Sequence, residues 1–220
     1  MPSQPLRRIP PTLEMALQRV RIAARTAAER TIDSLALASL AASNAYHRDS
    51  LLAAQFELHR KLAIFALTFN ETLDAEVVAE IGAKTESPSK AAASDPSMSN
   101  WSALELVDDH EVEIRINADR FALEIAHECE WEIRELDGYI GSVLGQAPGQ
   151  PLRNPLRAQS VGQALIRAVE AITESADTRK VLSTEIGRSL AQAMRQTYAE
   201  ITSGLRDTGV RPIGLTASPH

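Results

Sequence analysis

The sequence predicts an all-α fold, and three observations carry that reading. Apolar residues recur at steps of three and four over long stretches, as they do along one face of an α-helix. Only 4% of the residues are aromatic while alanine, leucine and isoleucine abound, a composition suited to close helix–helix packing rather than to a β-sandwich or barrel. No stretch of useful length alternates apolar and polar residues as a half-buried strand would. A chain of 220 residues is enough for one domain, or two small ones, with an adequate core.

Taken in order, residues 1–11 hold four prolines and two arginines and read as an irregular tail. Residues 12–82 read as a helical hairpin. Thr12 is the candidate cap of its first helix, whose seam is Leu13, Leu17, Val20, Ala24, Ala27, Ala28, Ile32, Leu35 and Ser39, ending near Asn44. Asp49 or Ser50 is the candidate cap of the second, with Leu52, Phe56, His59, Ala63, Ala66, Phe69 and Leu73 as its seam and Gly82 as its stop. Residues 83–100, AKTESPSKAAASDPSMSN, have no apolar period and read as a flexible linker. Trp101 and Leu104 then return the chain to a packed surface.

Residues 101–212 read as a helical bundle organised by one long helix over 108–144. Asp108 is its expected N-cap, with Glu111 placed to complete a capping box. Ile114, Ala118, Phe121, Ile125, Cys129, Ile133, Leu136, Ile140 and Val143 form a single seam, which in about 36 residues would span roughly 54 Å. Gly138 and Gly141 are where a bend or fraying is expected, and Gly145 and Pro148 stop the helix. Asn154-Pro155 opens a fourth helix with the seam Val161, Leu165, Ala168, Val169 and Ile172. Asp177 caps a fifth, with the seam Leu182, Ile186, Leu190, Ala193, Met194, Thr197, Tyr198, Ile201 and Leu205 and stops at Gly209 and Pro212. Residues 213–220 read as a frayed tail.

Composition bounds the function. The net charge of −6 is uneven: residues 105–150 carry −9 between segments 1–62 at +4 and 151–220 at +3. An acidic central helix argues against nucleic-acid binding, which needs a basic footprint. The single cysteine, Cys129, makes no internal disulfide and points to no oxidising compartment. The N-terminus lacks the apolar core of a signal peptide, and the most apolar patch, 35–42, is too short to cross a bilayer, so a cytoplasmic location without a transmembrane segment is expected.

Candidate chemistry is sparse. Asp108, Asp109, His110 and Glu111 are dense in ligand types, but consecutive helical residues diverge, and helix capping accounts for the acids. Around His127 and Glu128 the second histidine of an HExxH zinc helix is replaced by Trp131, and Cys129 reads as a small core residue. Glu124 and His127 form one E-x-x-H pair where a di-iron bundle needs two. No P-loop, dinucleotide fingerprint or nucleophile elbow is present. The residues left as candidates are therefore surfaces. One is an acidic face of Glu124, Glu128, Glu132 and Glu135, with Arg120 and Arg134 near enough for local ion pairs; the other is a basic face of Arg19, Arg21, Arg25 and Arg30.

The order of several segments is similar to a known family. The stretch ASNAYHRDSLLAAQFELHRKLAIFALTFNETL, the segment LELVDDHEVE, the helix ending WEIRELDGYIGSVLG, then RNPLR and LAQAMRQTYAEITSGLRDTGVRP together resemble the N-terminal portion of the bacterial family called domain of unknown function 1631. The resemblance covers most of residues 28–212. It implies longer bacterial relatives without an established activity, some ending in a PilZ-like domain that binds cyclic-di-GMP; the motifs of that domain do not occur here. The leading expectation is a non-enzymatic helical interaction or scaffold module that binds a protein partner or itself, with no cofactor, metal or small-molecule ligand. The alternatives are a regulatory module of cyclic-di-GMP signalling and an enzyme with an unrecognised helical site.

Overall fold

The computed structural model describes residues 9–82, 109–147 and 153–213. The fold is all-α, with six helices among these residues: α1 (Pro11–Ala41), α2 (Ala45–Gly82), α3 (Asp109–Glu128), α4 (Glu130–Val143), α5 (Ala158–Ile172) and α6 (Ala176–Asp207). The linker expected at 83–100, the cap at Asp108, Trp101 and Leu104 lie outside the described residues.

Helix α1 starts at Pro11, one residue ahead of its expected cap Thr12. Pro11 occupies the first turn, where its missing N–H costs nothing, and the Leu13 and Glu14 N–H groups donate to the Pro10 carbonyl, leaving Thr12 inside the helix. The seam of α1 is buried as its spacing predicts. Its buried hydroxyls are satisfied locally: Thr31 donates to the Ala27 carbonyl and Ser39 to that of Ala36.

Helix α2 departs from expectation in two ways. Its cap is Asn44, whose Oδ1 accepts from the Tyr46 N–H at 2.9 Å, so the helix begins ahead of Asp49 and Ser50. Its buried stripe is Leu51, Ala54, Leu58, Phe65, Phe69, Leu73 and Val77. The expected seam is thus one residue out of phase through its first two thirds: Leu52, Phe56, His59 and Ala63 are exposed, Ala66 is half-buried, and only Phe69 and Leu73 are in register. The helix carries apolar residues on two faces, and the heavier Phe56 lies on the outer one. A kink at Lys61 (φ −113°, ψ 20°) has a visible use. The Lys61 ammonium reaches the carbonyl of Ile172 at 2.6 Å, the last residue of α5, where a cation complements the helix dipole.

The long helix expected over 108–144 is two helices. They meet at Cys129 (φ −122°, ψ 24°), yet its N–H still donates to the Ile125 carbonyl and the Ile133 N–H to the Cys129 carbonyl, both at 2.9 Å. The apolar stripe therefore runs through the break, with Ile114, Ala118, Phe121, Ile125, Cys129, Leu136 and Ile140 buried and Ile133 and Val143 half-buried. Gly138 and Gly141 sit in regular helix rather than at a bend. Gly138 instead admits the chain after α6: the Ile213 N–H donates to its carbonyl at 3.0 Å, and a Cβ there would stand 3.3 Å from that of Pro212. Gly145, at φ 62°, closes α4 as a Schellman cap, with Gln146 N–H returning to the Gly141 carbonyl and Gly145 N–H to that of Ser142.

Asn154-Pro155 forms a turn ahead of α5 rather than its first turn. The buried Asn154 accepts the Leu156 N–H through Oδ1 at 2.8 Å and donates through Nδ2 to Asp137 at 2.8 Å, tying the α4–α5 connection back to α4. Helix α5 buries ten of its fifteen residues against α2, α3 and α6 and turns Gln159, Gln163, Arg167 and Glu170 outward. Gly162 is where α3 crosses it: an added Cβ would lie 2.6 Å from the Ala118 carbonyl oxygen. The cap of α6 is Ser175, whose hydroxyl accepts the Thr178 N–H, and Asp177 belongs to the first turn. Helix α1 packs on α2 and α6, and α4 on α6. One apolar core draws on all six helices, with the Tyr198 hydroxyl buried in it and donating to the Leu156 carbonyl at 2.9 Å.

Candidate functional site

The acidic set divides. Glu132 and Glu135 face α6 and are engaged there, with Arg195 at 2.9 Å and Arg206 at 2.6 Å. Arg206 also donates to the Tyr139 hydroxyl at 3.1 Å and stands over its ring. On α3, Glu111 receives Arg167 of α5 at 2.5 Å. The charge asymmetry of the sequence is thus partly an internal match between acidic α3–α4 and the basic C-terminal helices. Glu124 and Glu128 are different: both are exposed, and neither has an ion-pair or hydrogen-bond partner among the described residues. Arg120, expected to pair locally, also has none among them, whereas Arg134 binds Glu130 at 3.1 Å.

Beside the two unpaired carboxylates runs an apolar ridge that the seam-based reading missed. Ile116, Leu123 and Trp131 are 62%, 70% and 73% exposed. Leu123, His127 and Trp131 are four residues apart, on the side of the helices away from α5 and α6, so their signal in the sequence is a second apolar period opposite the first. The Arg134 guanidinium lies 5.4 Å from the Trp131 ring centroid, and most of the indole surface remains in solvent.

The basic set does not form one face. Arg21 is the most enclosed, 14% exposed, joining α1 to α2 through Glu14 at 2.7 Å and Asp74. Burial alone would lower its pKa, and the two carboxylates more than offset that, so it stays charged. Arg25 pairs with Glu29 at 2.9 Å on the solvent side. Arg19 and Arg30 look into a groove between α1 and α6, Arg19 bound to Glu200 at 2.7 Å and Arg30 without an ion pair among the described residues.

Of the groups weighed for chemistry, Cys129 is fully buried, its Sγ 3.9 Å from the Ala191 carbonyl oxygen. Burial first, then the charges of Glu132 and Glu128, push its thiol up to about 12, which keeps it neutral and unreactive at neutral pH. Burial raises Asp137 above the ordinary carboxylate range against the opposing hydrogen bond from Asn154, and it raises the Tyr198 phenol. Among the described residues no three His, Cys, Asp or Glu side chains converge as metal ligands, and no helix is long and apolar enough to cross a membrane.

The family described as "Protein of unknown function (DUF1631) N-terminal domain" matches residues 11–209. No curated protein and no solved structure was found to match.

Proposed function

The chain belongs to the DUF1631 family of proteins of unknown function, and we propose that it acts there as a helical protein-interaction module, engaging its partner through the outer ridge of α3 and α4. The observation that carries this reading is Trp131, 73% exposed on a helix whose other face is anchored in the core, beside Leu123 and two carboxylates with no partner among the described residues. Exposed tryptophan costs solvation and supplies a large, rigid contact when covered, which is why it dominates binding energy at interfaces. Glu124 and Glu128 would set specificity and encounter rate for a partner presenting an apolar patch flanked by lysine or arginine. The acidic face expected from sequence thus narrows to its α3 half, since Glu132 and Glu135 are paired with Arg195 and Arg206 of α6.

The test is a photo-crosslinking residue placed at position 123 in the native host, with and without Trp131→Ala, Glu124→Lys and Glu128→Lys. The expected result is a defined crosslinked partner that the triple variant loses and a remote Glu29→Lys variant keeps. Identical crosslinks from all three chains would defeat the reading.

A further inference from the structure

We propose that the groove between α1 and α6 is a binding site for a small organic oxyanion that carries an apolar group. The two helices run antiparallel, with Arg19 opposite Glu200 and Arg30 opposite Ser189. The Arg19–Glu200 pair bridges them. On its Arg30 side a recess of about 400 Å³ opens, within the range of roughly 300–1,000 Å³ typical of ligand pockets. On the other side only about 30 Å³ is open, over Met15 and Gly204.

The lining fixes the ligand class. The carboxylate in the recess, Glu200, is taken up by Arg19 and by the Gln196 amide at 2.8 Å. The remaining charge is the Arg30 guanidinium, which has no ion pair among the described residues. Around it stand uncharged hydrogen-bonding groups, Thr26, Ser189 and Gln192. A free planar guanidinium among hydroxyls and an amide suits a carboxylate or phosphoryl group, which it can bind through two parallel hydrogen bonds, and disfavours a cation. The apolar component follows from Ile22, 56% exposed in the wall, and from Ala193 across the recess. Ile22 would be covered by a ligand with a ring or short chain. This site is on a different pair of helices from the α3–α4 ridge and stands independently of it.

The experiment is an amide-resolved NMR titration of the 220-residue chain with phenyl phosphate, benzoate and inorganic phosphate, repeated with Arg30→Gln and Gln192→Glu. Both substituted side chains are exposed, so the fold is retained. The expected result is saturable shifts in residues 22–30 and 189–196 with at least one of the two aromatic anions. Arg30→Gln should weaken binding about tenfold, as loss of a charge-assisted pair implies, and Gln192→Glu should abolish it. The tighter of the two assigns the head group as phosphoryl or carboxylate. The proposal falls if neither aromatic anion gives saturable shifts in those residues, or if either variant binds like the wild type. It falls too if inorganic phosphate binds as tightly as phenyl phosphate, which would mean an adventitious ion only.

Discussion

Helix α5 and the outer ridge of α3–α4 are both built from apolar residues at helical spacing, and the fold treats them in opposite ways. The apolar side of α5 is covered by α2, α3 and α6, and at Gly162 the backbone of α3 comes so close that no side chain fits between. The ridge of Ile116, Leu123 and Trp131 is covered by none of the described helices. Apolar periodicity alone therefore does not separate a residue that holds the fold from one that the fold leaves in water. The flanking residues help: α5 has alanine, glycine and serine between its large side chains, whereas Leu123 and Trp131 have Glu124, His127, Glu128 and Glu130 between and beside them. Small neighbours allow close packing, while charged neighbours keep a face in water.

The sharpest way to break this contrast is to cut into α5. Leu165 is fully buried, and Leu165→Ala removes its branched end where α3, α5 and α6 meet. Urea unfolding should show a loss of roughly 3 kcal/mol, from lost burial and the cavity left behind. Gly162→Ala should cost roughly 2 kcal/mol for the opposite reason, because its Cβ would lie 2.6 Å from the Ala118 carbonyl oxygen and the helices would have to move apart. A neutral result at Gly162 would show that α3 is free to shift on α5.

The same contrast sets what could be read from the sequence. The all-α class and the seams of α1, α5 and α6 were legible because in each of those helices one stripe dominates. The phase of α2 was not, because Leu51 and Leu52 sit side by side and Phe56 outweighs Ala54, although Ala54 is the buried one. The break at Cys129 left no trace, since the apolar steps and the backbone hydrogen bonds both run through it. Caps were misplaced at Asn44 and Ser175, where several polar residues in succession could each begin the helix. The charged faces were legible as charge and not as geometry. Glu132 and Arg195, 63 residues apart, find each other only through packing, and nothing local distinguishes the enclosed Arg21 from the open Arg30. The α1–α6 recess is a property of two helices side by side and has no signature in either.

A smaller effect is expected at the joint between α4 and α5. Burial raises the Asp137 pKa above its unfolded value, so in the window between the two the folded chain holds more protons than the unfolded one. Its contribution is then most favourable below the unfolded pKa and is lost as pH rises through the folded pKa. Asp137→Asn removes that titration and keeps a side-chain oxygen to accept from Asn154. Stability measured from pH 4 to 7 should fall with pH less for the variant than for the wild type. Parallel profiles would mean that the carboxylate ionises in the fold without penalty.

The smallest expected effect on stability is on the ridge itself, and its smallness is informative. Trp131→Ala removes a ring that is mostly in water and whose defined contact is the Arg134 guanidinium, an exposed cation–π pair worth about 0.5–1 kcal/mol. Glu124→Lys removes a carboxylate with no partner among the described residues and should change stability by less than about 0.5 kcal/mol. Thermal melts of both variants should therefore nearly overlay the wild type while crosslinking at position 123 is lost. That combination separates a surface kept for binding from one kept for folding. A melting temperature depressed by Trp131→Ala as far as by Leu165→Ala would place the indole in a packed environment and return the ridge to the core.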